Sequence, residues 1–180
     1  EGSSPSWRTK IFMIYILLPA YNEKLNLIKI FKKIDNLINK LKLKITVILV
    51  DDCSKDGTKE LKKIRTKFKL IYLRHKKNSG LSITMETGFK KIKKIAKKND
   101  IVITLDSDNT HPISLIEMMI DEIYKENDLV IASRFVKNSK VKGVTTFRKF
   151  MSFGAKILFK FFFPFQNLND YPCNFRAYKF

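Results

Sequence analysis

Apolar runs alternate with helical patterns along this chain. Ile11 to Leu18 is a short run of β-branched and aromatic residues ending at Pro19, which predicts a buried strand. From Glu23 to Leu41 the apolar positions Leu27, Phe31, Ile34, Ile38 and Leu41 recur at helical spacing, with lysines on the opposite face. Ile45 to Val50 is a second strand with Asp51 at its end. Asp56-Gly57-Thr58 is a turn and cap signal that predicts a helix to about Phe68. Leu70 to Leu73 is a third strand. Thr84 to Lys97 is helical, with Met85, Phe89, Ile92 and Ala96 on one face. Ile101 to Leu105 is a fourth strand. His111-Pro112 opens a helix to about Tyr124 that turns Ile116, Ile120 and Ile123 inward, and Leu129 to Ala132 is a fifth strand.

Strands that alternate with helices predict an α/β fold, a mostly parallel sheet covered on both faces. Ligands in such sheets bind beyond the carboxyl ends of the strands. Four polar clusters fall there: Tyr21-Asn22-Glu23, Asp51-Asp52, Asp106 to His111, and Ser133-Arg134. No internal repeat or low-complexity linker interrupts the pattern.

Length and charge narrow the picture. The 180 residues suit one domain, read as 11–180 behind a polar tail or expression scar at 1–10. The net charge is +19, from 30 Lys and 6 Arg against 17 acidic residues. Nucleic acid, an anionic membrane and phosphorylated small molecules are all partners for such a chain. Against nucleic acid, the lysines are dispersed and no recognition motif is present. Cys53 and Cys173 are too few for a disulfide framework or zinc site. The longest apolar stretches, Ile11 to Ala20 and Ile157 to Phe165, fall short of the roughly 20 residues of a spanning helix. The chain stops at Phe180 within an apparent motif, as a fragment would.

Asp106-Ser107-Asp108 places two carboxylates two residues apart at a strand end, where they can share a hard cation. The same residues can simply cap the following helix. Asp51 and Asp52 are adjacent carboxylates that repel unless one is satisfied by donors; the same stretch also favours a turn. His75 sits among lysines and reads as solvated. His111, beside the acidic loop, reads as orienting that loop rather than as a ligand.

These stretches together resemble the ordered signature of family 2 glycosyltransferases, which have the GT-A fold. Pro19-Ala20-Tyr21-Asn22-Glu23, Asp51 through Thr58, and Asp106-Ser107-Asp108 carry the resemblance. Gly80-Leu81-Ser82 with Glu86 and Gly88-Phe89, His111-Pro112, Ser133-Arg134-Phe135, and Asp170 with Phe175-Arg176-Ala177 bring it nearer to the dolichyl-phosphate mannosyltransferase and polyprenyl-phosphate glycosyltransferase branch. The resemblance implies that Pro19, Tyr21, Glu23 and Asp52 hold the base and ribose of a nucleotide-sugar donor such as GDP-mannose or UDP-glucose. It implies that Asp106, Ser107 and Asp108 form the diphosphate site, with Mg²⁺ or Mn²⁺ on Asp106 and Asp108. Thr110 stands at a third metal-contact position where the branch commonly has Gln; only its short hydroxyl is available, and water is the alternative. Arg134 and Arg148 match arginines that hold acceptor phosphate and donor diphosphate, a task suited to a planar guanidinium. Ser82 and Asn174 stand where glycine is usual, and Cys173 where serine is common.

Phe147 to Phe165 combines many aromatics with Arg148, Lys149, Lys156 and Lys160, predicting an amphipathic helix in an anionic membrane interface or a buried core helix. The expected reaction is inverting transfer of a hexose to a polyprenyl or dolichyl phosphate at the cytoplasmic face of a membrane. Its alternatives are transfer to a saccharide hydroxyl, with Asp170 as the base, and a basic nucleic-acid-binding or inactive domain.

Overall fold

The protein is described by a computed structural model covering residues 12–133, 170 and 173–180. The tail at 1–10 and the aromatic stretch 147–165 lie outside the described residues, as do Arg134 and Arg148. Among the described residues six strands form one sheet: β1 (Ile14–Ala20), β2 (Ile45–Asp51), β3 (Lys69–Arg74), β4 (Ile101–Thr104), β5 (Leu129–Ile131) and β6 (Arg176–Lys179), in the order β3-β2-β1-β4-β6-β5. β1 pairs in parallel with β2 and β4, and β2 with β3. Every residue of β1 and β2 is buried, as expected of strands covered on both faces. β6 runs antiparallel to both its neighbours, inserted between β4 and β5. The alternating pattern of the sequence did not reveal β6. Its four residues, Arg-Ala-Tyr-Lys, carry one fully buried side chain, Ala177, and too little apolar signal.

The helices α1 (Lys24–Leu41) and α3 (Leu115–Tyr124) cover one face and α2 (Leu81–Lys93) the other. Successive β1 residues serve the two layers in turn. Ile14, Ile16, Leu18 and Ala20 join α1 and α3, while Tyr15 and Leu17 join Ile92 of α2. α2 starts and ends earlier than its periodicity predicted, and its inward face is Thr84, Gly88 and Ile92, with Phe89 partly exposed. The reason is close approach: a Cβ on Gly88 would meet Leu17 Cδ1 at 2.1 Å, so only glycine lets the helix sit this near β1. The helix expected to reach Phe68 is a 3-10 helix, Thr58–Lys63. Beyond it the chain extends, because Lys67 N–H donates to Asp35 Oδ1 of α1 and Phe68 packs edge-on against Phe31. α3 is preceded by a tight turn at Pro112 rather than starting there, with Leu115 N–H donating to the Pro112 carbonyl.

Candidate donor and metal site

The carboxyl ends of β1, β2 and β4 carry the polar clusters, and backbone bonds lock them together. Asp52 N–H donates to the Ala20 carbonyl at 2.8 Å, and the Ser107 hydroxyl to the Pro19 carbonyl at 2.7 Å. Ser107 is therefore a buried tie between β1 and the acidic loop. Asn22, with φ of 58°, accepts from Lys55 N–H through its side chain and donates its own N–H to Ser54, closing the loop after β1 on the loop after β2. Glu23 caps α1, and its carboxylate accepts from Asn26 Nδ2 at 2.7 Å.

Both members of the Asp51-Asp52 pair are satisfied, by different partners. Asp51 is fully buried and accepts from Ser54 N–H, the Tyr72 hydroxyl and Arg74 Nη1. Burial and the bond to Asp51 push the Tyr72 hydroxyl up to about 12. Asp52 faces the other way. Its Oδ1 meets His75 Nδ1 at 2.7 Å and Ser79 N–H at 2.9 Å, and its Oδ2 accepts from Gly80 N–H at 2.8 Å. Burial raises the Asp52 carboxyl, but the His75 ring and the two backbone donors outweigh it and hold it below the ordinary carboxylate range. Asp52, Pro19, Tyr21, Asn78, Gly80, Leu81 and Thr84 line a cleft of about 220 Å³. That is smaller than the roughly 300–1,000 Å³ of sites enclosing a drug-sized ligand, and suits one ring system rather than a whole nucleotide sugar. Of the four residues expected around the base and ribose, Pro19, Tyr21 and Asp52 line the cleft and Glu23 does not.

His75 is the clear correction. Its side chain is 15% exposed rather than solvated, spanning Asp52 and the Thr87 hydroxyl of α2. Its lysine-rich surroundings concealed this; what places it is the register of β3, whose end lies beside that of β2.

At the end of β4, both Asp106 oxygens are engaged. Oδ2 lies 3.1 Å from His111 Nε2 and Oδ1 accepts from Asn174 Nδ2 at 2.9 Å. His111 thus orients the loop, and its ring packs 5.1 Å from that of Phe175. Asn174 does not use a left-handed backbone; it spends its side chain on Asp106 while its carbonyl accepts from Thr104. Asp108 is exposed and one oxygen accepts from both the N–H and hydroxyl of Thr110. Among the described residues no three His, Cys, Asp or Glu side chains form a metal-holding group. Two carboxylates still fit a hard cation whose remaining ligands are phosphate oxygens and water.

A family model, Glycosyl transferase family 2, matches residues 15–180. The chain belongs to this family. A dolichol-phosphate mannosyltransferase of Pyrococcus furiosus is 35% identical over 143 residues, covering 79% of this chain and 39% of that protein. A UDP-N-acetylglucosamine–dolichyl-phosphate N-acetylglucosaminyltransferase of Methanococcus voltae is 29% identical over 144 residues, covering 71% of this chain and 54% of that protein. The chain thus spans about half the length, or less, of these relatives. Mannosyl-3-phosphoglycerate synthase from Rubrobacter xylanophilus superposes with a TM-score of 0.69 at 16% identity, covering 93% of this chain and 53% of its own, and shares the GT-A fold. The family 2 glycosyltransferase expected from the residues is the family found.

Proposed function

We propose that this domain transfers a hexose from a nucleotide-diphosphate sugar, GDP-mannose or UDP-glucose, to a polyprenyl or dolichyl phosphate at an anionic membrane surface. The observation that carries the reading is the joining, by Ser107 and the Ala20–Asp52 bond, of a ring-sized cleft and a two-carboxylate loop on one sheet edge. Base and diphosphate of one donor would reach both. The names of the two relatives, each a transferase to dolichyl phosphate, support the acceptor class. Among the described residues no helix is long and apolar enough to cross a membrane.

In this reading Pro19, Tyr21 and Asp52 hold the base, and Glu23 lies at the ribose end. Asp106 and Asp108 would hold Mg²⁺ or Mn²⁺, which when bound neutralises charge on the departing diphosphate. Thr110 acts chiefly by fixing Asp108. Arg134 and Arg148 grip phosphate oxygens and offset the repulsion between two anionic substrates. An acceptor phosphate oxygen attacks the anomeric carbon with inversion, the bond to the diphosphate oxygen breaks, and the nucleoside diphosphate leaves. A phosphate with a second pKa near ~6 is already ionised at neutral pH, so no protein base is needed. Transfer to a saccharide hydroxyl would need one, and its candidate Asp170 is 1% exposed.

Calorimetric titration of GDP-mannose and UDP-glucose, with and without Mn²⁺, tests this. Metal-dependent binding of one donor is expected. Folded protein that binds neither would refute it.

A further inference from the structure

We infer that His75, held by Thr87 of α2, is a positioning residue for donor binding, acting through Asp52. The inference rests on the cleft being the donor-base site and adds a residue that no motif marks. Three observations carry it. The His75 ring is clamped at both nitrogens, 2.7 Å from Asp52 Oδ1 and 3.0 Å from Thr87 Oγ1, and is largely buried. Its own N–H donates to the Asp51 carbonyl at 2.9 Å, so its backbone is fixed to the end of β2. Asp52 in turn collects Ser79 N–H and Gly80 N–H, which belong to the loop that supplies Asn78 and Gly80 to the cleft wall and leads into Leu81 of α2. A carboxylate oxygen only accepts, so the bond to Asp52 Oδ1 is donated by His75 Nδ1–H, and Nε2 shares a hydrogen bond with the Thr87 hydroxyl. Two strand ends, the cleft wall and α2 therefore meet at one carboxylate, and His75 is the side chain that sets its angle. Second-layer partners of this kind, which do not touch the ligand, hold a binding group within the narrow range its task needs.

The test is calorimetry of the full chain with GDP-mannose and UDP-glucose, on His75→Ala, His75→Asn, Asp52→Ala and the double variant His75→Ala/Asp52→Ala, with urea midpoints for each. Losing a hydrogen bond to a charged group corresponds to roughly tenfold weaker donor binding in His75→Ala. In His75→Asn, whose amide N–H can replace Nδ1–H, binding returns to within about threefold of the parent. With Asp52 absent, adding His75→Ala is expected to weaken binding no further, since the histidine then has nothing to position. Unchanged binding in His75→Ala, or equal losses in His75→Ala and His75→Asn that follow lowered urea midpoints, would overturn the inference while leaving the donor site standing. Unchanged binding in Asp52→Ala, or a parent chain that binds neither donor, overturns the reading of the cleft itself and the inference with it.

Discussion

Replacing Gly88 by alanine measures how closely α2 is docked on the sheet. A Cβ at this position would lie 2.1 Å from Leu17 Cδ1, 2.8 Å from Cδ2 and 3.0 Å from Cγ. Leu17 is fully buried, packed with Tyr15, Ile48, Val50, Ile92 and Val102, and cannot swing into solvent. Interiors at crystal-like density leave such a side chain little room to shift. Two effects oppose each other. Alanine is the better helix former by about 0.8–1.0 kcal/mol. Inserting a methyl group into a packed interface costs about 1–3 kcal/mol. A 2.1 Å approach belongs at the upper end of that range, so the net effect is a loss of about 1–2 kcal/mol. Urea unfolding reads it as a lowered midpoint at constant slope. A double variant separates steric from conformational causes. Leu17→Ala alone costs about 2–5 kcal/mol, mostly through the cavity it leaves. With Gly88→Ala added, the new methyl enters that space, and the pair is less destabilised than the sum by at least about 1 kcal/mol. A Gly88→Ala protein as stable as the parent, or strictly additive losses in the double variant, would refute the reasoning.

Asp108→Ala should abolish sugar transfer to a polyprenyl phosphate yet leave the circular-dichroism melting curve unchanged, because the side chain is exposed and its bonds are local to Thr110; retained transfer would exclude the proposed metal role. The lowered Asp52 carboxyl contributes stability that is fully present above its ordinary value of 3.8 and is lost as pH falls through its folded value. Asp52→Asn should therefore flatten that part of the acid-unfolding profile, and an unaltered profile would contradict the hydrogen-bond assignment. Tyr72, raised from 10.0 to about 12, contributes stability that is intact below pH 10 and is lost as pH rises toward 12, where the unfolded chain ionises first. Tyr72→Phe should remove this alkaline loss and cost about 1–3 kcal/mol at neutral pH by taking one donor from buried Asp51; urea titrations at pH 7 and pH 11 check both.

Much of the fold was written in local periodicity. Ile14–Ala20 and Ile45–Asp51 are short apolar runs because both faces are covered, and α1 shows its spacing because one stripe meets the sheet. The candidate site was legible as far as strand ends were, since a carboxylate placed just after a buried strand has few other places to go: Asp52 and Asp106 both stand at the carboxyl edge. Three features depended on residues distant in sequence and left no local trace. β6 pairs with β4 across more than 70 residues, so its polar tetrapeptide becomes a strand only through its neighbours. Asn174 reaches Asp106 because that strand returns there. His75 turned from a surface residue into a half-buried link once β3 lay beside β2 and α2 closed over it, led in by Gly88. Periodicity reports which face of an element is covered; which particular side chains share a hydrogen bond is decided by the register and depth of packing, and these are set only when the whole sheet assembles.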